Sequence, residues 1–324
     1  MHASDKDAAE LPRNNHPIGA DNQRRWGLNS FASRRKIFLI LFCMPALLYI
    51  VFVAVLPLAQ GIWYSFFDYS LMRPNRRTFV GLENYYTLFK NNEARTALIN
   101  TFVFTFGAIV IEFGLGLVLA LAMWRDSRFN NIALALILIP VSITPVAAGL
   151  VFRAVLTPDF GLIGYWAAAF EISSQRGFLG DPSTAMAGVI FIDVWQWTPL
   201  VTLILLAGLK SLPGDVLEAA EVDGASAFQR FRMIVFPMLL PAVFLGVVFR
   251  MMDAFRVFDI IIAATGGGPG NTTDVLMVYA VKQGLQFFNI GYGSAVANLM
   301  IVCIILLTLV VTLVIRRADR RINS

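Results

Sequence analysis

Cysteine and histidine are nearly missing from this chain, and the few present stand where little chemistry is open to them. Only Cys43 and Cys303 occur in 324 residues, each inside a long apolar run, so no disulfide framework is supported. The two histidines, His2 and His16, lie in the polar N-terminal segment, which argues against a metal site or a histidine proton relay through a membrane. Charge is scarce too: Asp, Glu, Lys and Arg make up 15% of the residues and hydrophobic ones 57%. No Gly-Lys dipeptide occurs, so the phosphate-cradling loop G-x-x-x-x-G-K-[ST] is absent, and the chain is expected neither to hydrolyse ATP nor to be an enzyme.

What the chain has in abundance is apolar surface. With a mean hydropathy of +0.68, a soluble domain of this size could not hide it, and lipid becomes the main solvent. Runs of the roughly twenty residues that span a bilayer occur near Ile37–Leu58, Leu98–Trp124, Ile132–Leu156, Ala185–Leu209, Ile234–Ala264 and Gly293–Ile315. They do not alternate as barrel strands do, so the expected fold is an all-α polytopic membrane protein with six transmembrane helices. Pro45, Pro140, Pro145, Pro199 and Pro241 fall inside these runs, where neighbouring helices can satisfy the freed backbone groups.

Lys and Arg in the flanks set the orientation. Arg24, Arg25, Arg34, Arg35 and Lys36 precede the first run, and Arg316, Arg317, Arg320 and Arg321 follow the last. Both ends are therefore expected in the cytoplasm: a polar tail over 1–36, a transmembrane domain over 37–317 and a short tail over 318–324. The 59–97 loop cuts against this with Arg73, Arg76, Arg77, Lys90 and Arg95, but it is longer and also carries acids. The net charge of +5 reads as topology, so nucleic acid is not expected as a partner. The N-terminal segment does not begin with an apolar stretch, and the first run is too long for a cleaved signal, so it is expected to remain as a helix.

The inner loop over 211–237 is unusually ordered for a connection between spans. Ser211, Pro213 and Asp215 read as a helix start, and the turn that follows carries Glu218, Ala219, Ala220 and Glu221. Gly224, after Asp223, lets the chain turn where a side chain would obstruct it. Ser226 and Gln229 fit a capping box for a second short helix, with Phe228, Phe231 and Ile234 at helical spacing on one face. The product is a helix–turn–helix knob with an acidic lip, running directly into the span near Ile234.

Glu218-Ala219-Ala220, three residues, Gly224, nine residues, then Ile234-Val235-Phe236-Pro237 resembles the coupling loop of ABC-importer permeases, E-A-A…G…I-x-L-P. Only Phe236 departs, where Leu is usual. The resemblance implies that the knob seats in a groove of a separate P-loop ATPase, present in two copies and holding the ATP and Mg. On this chain no cofactor is expected.

Ionisable groups at bilayer depth mark the second feature of interest. Glu112, Asp193, Arg250, Asp253, Arg256 and Asp259 all fall in spans, and Asp193 lies ~12 Å below the outer end of its span by the helical rise. Asp193 is thereby in range of Arg250 or Arg256. Trp195, Gln196 and Trp197 share that depth, and aromatic faces beside hydrogen-bonding groups suit sugars. Asn298 in the last span is a further candidate. Such pairs also serve simply to position helices, and Trp to fill a core; both readings stand at this point.

Asp193-Val-Trp-Gln-Trp-Thr-Pro199, the loop just described, Asp253-Ala-Phe-Arg-Val-Phe-Asp259 and the turn-rich Gly266–Thr273 segment follow one another in an order similar to the permeases of carbohydrate-uptake ABC systems, the maltose and glycerol-phosphate type. This likeness runs from about Ile37 to Arg317. It implies a bacterial inner-membrane subunit, paired with a second homologous permease, that passes a sugar or related polyol delivered by an extracytoplasmic solute-binding protein. An ion-gradient-driven secondary transporter is the alternative, favoured by the buried carboxylates but leaving the knob unexplained.

Overall fold

Segments hydrophobic all round, rather than on one stripe, form helices that need either lipid or other helices on every side. In the computed structural model, which describes residues 38, 40–159, 161–170 and 176–322, they are α1 (Ile40–Tyr64), α3 (Asn92–Ala122), α7 (Ala185–Lys210), α9 (Ala227–Ala254) and α12 (Ile290–Ile322). Between them lie α2 (Glu83–Lys90), α4 (Arg128–Ile137), α5 (Pro145–Val155), α6 (Leu162–Ala169), α8 (Gly214–Val222), α10 (Asp259–Ala264) and α11 (Leu276–Val281). A small antiparallel hairpin pairs β1 (Phe67–Tyr69) with β2 (Arg77–Phe79). The 1–36 tail and the side chains of Arg316, Arg317, Arg320 and Arg321 lie outside the described residues, so the orientation argument is not tested there.

Among the described residues, five helices are long and apolar enough to cross a membrane. A sixth crossing exists only if α4 with its following turn and α5 count as one span, and the two are bent by 95°. The sequence run Ile132–Leu156 reads as continuous, but Pro145 starts a new helix after Ile143 and Thr144 leave helical geometry. The fifth run also differs from expectation: α9 ends at Ala254, Phe255–Phe258 is non-helical, and α10 resumes at Asp259. Two interrupted spans therefore stand where the sequence suggested two unbroken ones.

The chain divides at Ala59 and Gln60 into two units. The first holds the greater part of α1. In the second, α7 is the centre, with 61% of its most apolar stretch buried, against 6% for α12. Gly116 of α3 lets the two long helices meet: a Cβ there would stand 2.9 Å from Val201 of α7. Gly149 does the same for α5 and α10, where a Cβ would approach that of Ala263 to 2.7 Å. Apolar clusters lie at the two ends of α7, one around Phe104, Phe152, Ile192 and Ile260, the other around Leu205, Leu209, Val235 and Leu239, and a third joins α2, α3, α11 and α12 around Leu88, Phe255, Leu276 and Val296.

Candidate coupling and translocation sites

The knob is built by local chain chemistry. At the end of α8, Gly224 adopts φ +76°, and the next amide, Ala225 N–H, donates back to Ala220 O at 3.0 Å while Gly224 N–H donates to Glu221 O at 3.1 Å. This pair of bonds closes the last carbonyls of the helix and needs a residue free of a Cβ penalty at the left-handed position. Ser226 then caps α9: its hydroxyl accepts from Gln229 N–H at 3.3 Å, and the Gln229 side chain accepts from Ser226 N–H at 2.9 Å. Glu221 and Arg230 form an ion pair across the turn.

The start of α8 departs from expectation. Ser211 ends α7, its hydroxyl donating to Gly208 O at 2.7 Å, and Pro213 occupies the position before α8 with no side-chain cap. The long helix continues to Lys210 and claims Ser211 for its own C-terminus. Glu218, Ala219, Glu221 and Asp223 are exposed, as are Val222 and Phe228, the latter two 88% and 70% exposed. Ala220 is buried. Phe228, Phe231 and Ile234 do not share one environment: Phe231 turns inward onto Phe236, with ring centroids 5.9 Å apart, while Phe228 stays outside. A π turn runs from Phe231 to Val235. Pro237 follows in the first turn of the regular helix beyond.

At the other end of α9, Arg250 is fully buried and gives its guanidinium to three carboxylates. Nε and Nη2 donate to the two oxygens of Glu112 at 2.7 Å each, Nη2 also to Asp193 at 2.6 Å, and Nη1 to Asp253 at 2.6 Å. The face of Trp197 stacks on the same group, 4.8 Å from its central carbon to the ring. Arg256 adds a looser contact of 3.6 Å to Asp253 and is itself exposed. A buried ion is tolerable only when its hydrogen-bonding capacity is met in good geometry, which this arrangement achieves for Arg250. So Arg250 is the partner of Asp193, and Glu112 is a member of the network.

Gln196 and Trp195 have other tasks. The Gln196 amide donates to Ile143 O at 2.6 Å, a carbonyl released where α4 and α5 break apart. Trp195 packs edge-on to Phe152 in the core at 4.9 Å. Asn298 is bonded elsewhere: its amide donates to Tyr85 OH at 3.1 Å, and that hydroxyl lies 2.8 Å from Ser65 Oγ, tying α12 to α2. Between the two broken spans is a cavity of about 300 Å³, bordered by Pro145, Asp193, Trp197, Asp253, Arg256 and Asp259. Its border at Pro145 was not foreseen; two prolines five apart in one apolar run, Pro140 and Pro145, were the available signal.

The glycine-rich segment after α10 is a braced loop. Gly267 adopts φ +90° with the Asp274 carboxylate so close that any Cβ would collide with it. Lys282 Nζ donates to both Asp274 oxygens at 2.7 and 2.8 Å, and Asn100 of α3 holds Asp274 O at 2.8 Å. Burial pushes the Asp274 carboxyl above its usual range, with Lys282 pulling the other way.

Residues 112–324 match the family of binding-protein-dependent transport system inner membrane components. The trehalose transport system permease protein SugA of Mycobacterium tuberculosis is 36% identical over 84% of this chain and 86% of its own length. A trehalose/maltose transport system permease protein, MalF of Thermococcus litoralis, is 33% identical over 83% of this chain and 90% of its own. In structure the chain is similar to a permease of a bacterial ABC transporter for the acidic polysaccharide alginate, with TM-score 0.77, 21% identity and coverage of 91% of this chain and 99% of that one, a likeness of fold. The chain belongs to the binding-protein-dependent transport system inner membrane components, the membrane-spanning permeases of ABC importers.

Proposed function

We propose that the solute carried is a sugar or related polyol, and that two copies of a separate P-loop ATPase holding ATP and Mg drive its passage. In this reading a second, homologous permease completes the pathway, a solute-binding protein delivers the cargo, and both termini face the cytoplasm. The 37–317 region is the permease domain, 211–237 its coupling loop, and 1–36 and 318–324 its tails. Glu218, Glu221 and Phe228 offer the ATPase an exposed, mixed surface, while Asp193, Trp197, Asp253 and Arg256 border the route for the solute.

One observation carries this reading. The capped knob and the charge cluster are two ends of the same helix: α9 starts at Ala227 beside the turn and ends at Ala254 beside Arg250 and Asp253. Its 28 residues span ~42 Å at the helical rise, enough to link a cytoplasmic grip to the middle of a bilayer. Trehalose and maltose in the names of the relatives support the substrate class.

The test is purification of the tagged chain in mild detergent, with co-purifying subunits identified by mass spectrometry. A P-loop ATPase and a second permease are expected, with the ATPase lost from Glu218→Lys. Recovery of the chain alone, still active in gradient-driven uptake, would overturn the proposal.

A further inference from the structure

Resting on that pathway reading, we infer that the cavity between the broken spans selects by charge, admitting solutes without negative charge and turning away sugar acids and sugar phosphates. The carboxylates of Asp193, Asp253 and Asp259 border it, with the guanidinium of Arg256 as the only basic group on the border among the described residues. Behind them stand Glu112 and Arg250. Four carboxylates against two guanidinium groups leave a formal charge of −2.

The distribution matters as much as the sum. Arg250 is wholly enclosed, with four of its five N–H donors held by Glu112, Asp193 and Asp253, so a solute anion does not reach it. Arg256 is exposed and makes only a loose 3.6 Å contact to Asp253, so it offsets one carboxylate of the border and leaves the rest. Asp259 is different: it begins α10, is half-buried, and has no hydrogen-bond or ion-pair partner among the described residues. One unpaired carboxylate therefore faces a cavity whose remaining wall is apolar, from Pro145, Ala254, Val257, Phe258 and Ile260. Low-dielectric walls concentrate such a field, and clefts of one sign shift local ion concentrations and encounter rates by factors of about ten to a thousand. Hydroxyl groups can still donate to Asp259 while a C–H face packs against Trp197, so an uncharged polyol meets no such barrier.

The field can be read directly with a thiol placed in the cavity wall. In a chain carrying Cys43→Ala and Cys303→Ala, Val257→Cys keeps every charge and offers one reactive site. Membrane vesicles holding the full complex are treated with trimethylammonium-ethyl or sulfonatoethyl methanethiosulfonate, and each rate is normalised to that of a free thiol. The cationic reagent is expected to react about tenfold faster or more after normalisation, and Asp259→Asn should shrink that ratio several-fold. Equal normalised rates, a ratio unmoved by Asp259→Asn, or no reaction with either reagent would overturn the charge selection. Protection of the thiol by millimolar trehalose, used as an uncharged probe, separately tests the pathway. Charge selection with no protection by this or other neutral sugars would remove the pathway reading and leave the field as a structural property.

Discussion

Arg250 joins three carboxylates contributed by three helices, so its removal leaves negative charge buried with nothing to answer it. Breaking a buried ion pair by deleting one partner costs about 3–5 kcal/mol, much more than the net worth of the intact pair. Arg250→Met is therefore expected to abolish the monodisperse species in detergent gel filtration. Arg250→Met combined with Glu112→Gln and Asp193→Asn should recover much of it, since amides need only hydrogen bonds. Asp253 is the member open to the cavity, with its side chain 29% exposed, so Asp253→Asn should leave the protein folded and reduce uptake. A triple variant as unstable as the single one would show that shape, and not charge balance, holds these helices. Sequence alone placed Glu112, Asp193 and Arg250 at membrane depth, but pairing depends on how α3, α7 and α9 are rotated. That rotation is set by close contacts such as Gly116 on Val201, which no hydropathy pattern reports. For Asn298, depth made it a pathway candidate, and its bond to Tyr85, which joins α12 to α2, could not be read from depth.

At the scale of elements, the knob was legible because its signals are local. A capping box and a left-handed glycine act within a few residues, and both bonds of the box and the φ of Gly224 appear as expected. The start of α8 was misjudged, since Ser211 suits the end of one helix as well as the start of another, and so was the common face of Phe228 and Phe231. The breaks in the spans were not legible. Averaging over a window erases a two-residue interruption, and proline inside a membrane helix is tolerated too often to mark one. Gly224→Pro follows from the same local physics: proline fixes φ near −65° and the turn needs +76°. This variant should insert normally yet lose solute-stimulated ATPase activity, measured on the purified complex, and retained stimulation would show that the turn is not needed for coupling. Gly149→Leu should instead damage the cavity side. Its side chain would meet Ala263 and the Ile260 carbonyl, pushing α10 from α5 and moving Asp259.

Across the whole molecule, the question is how a push at Glu218 reaches Asp253. In the proposed mechanism the route is α9, and its support is uneven. Ala242 rests on Gly208 of α7 so closely that a Cβ on Gly208 would stand 2.6 Å away. Ala242 lies eleven residues after Phe231 and eight before Arg250, or ~16 and ~12 Å along the axis. A helix held at such a point behaves as a lever, with the π turn over Phe231–Val235 and Pro241 as the places where it can flex. Packed interfaces switch between discrete arrangements instead of deforming smoothly, so the cavity should have distinct open and closed forms tied to the ATPase. The Val257→Cys complex permits the measurement. Its reaction rate with the cationic reagent is compared in nucleotide-free vesicles and after trapping with ATP and vanadate, which mimics the transferred phosphoryl group. A change of about tenfold between the two states is expected, because the break after Ala254 moves with the end of the lever. Gly224→Pro, in the same background, should hold the rate at its nucleotide-free value even though vanadate still traps the ATPase. If the rate changes as fully in that variant as in the parent, the signal reaches the cavity by some element other than α9, and the lever is the wrong description.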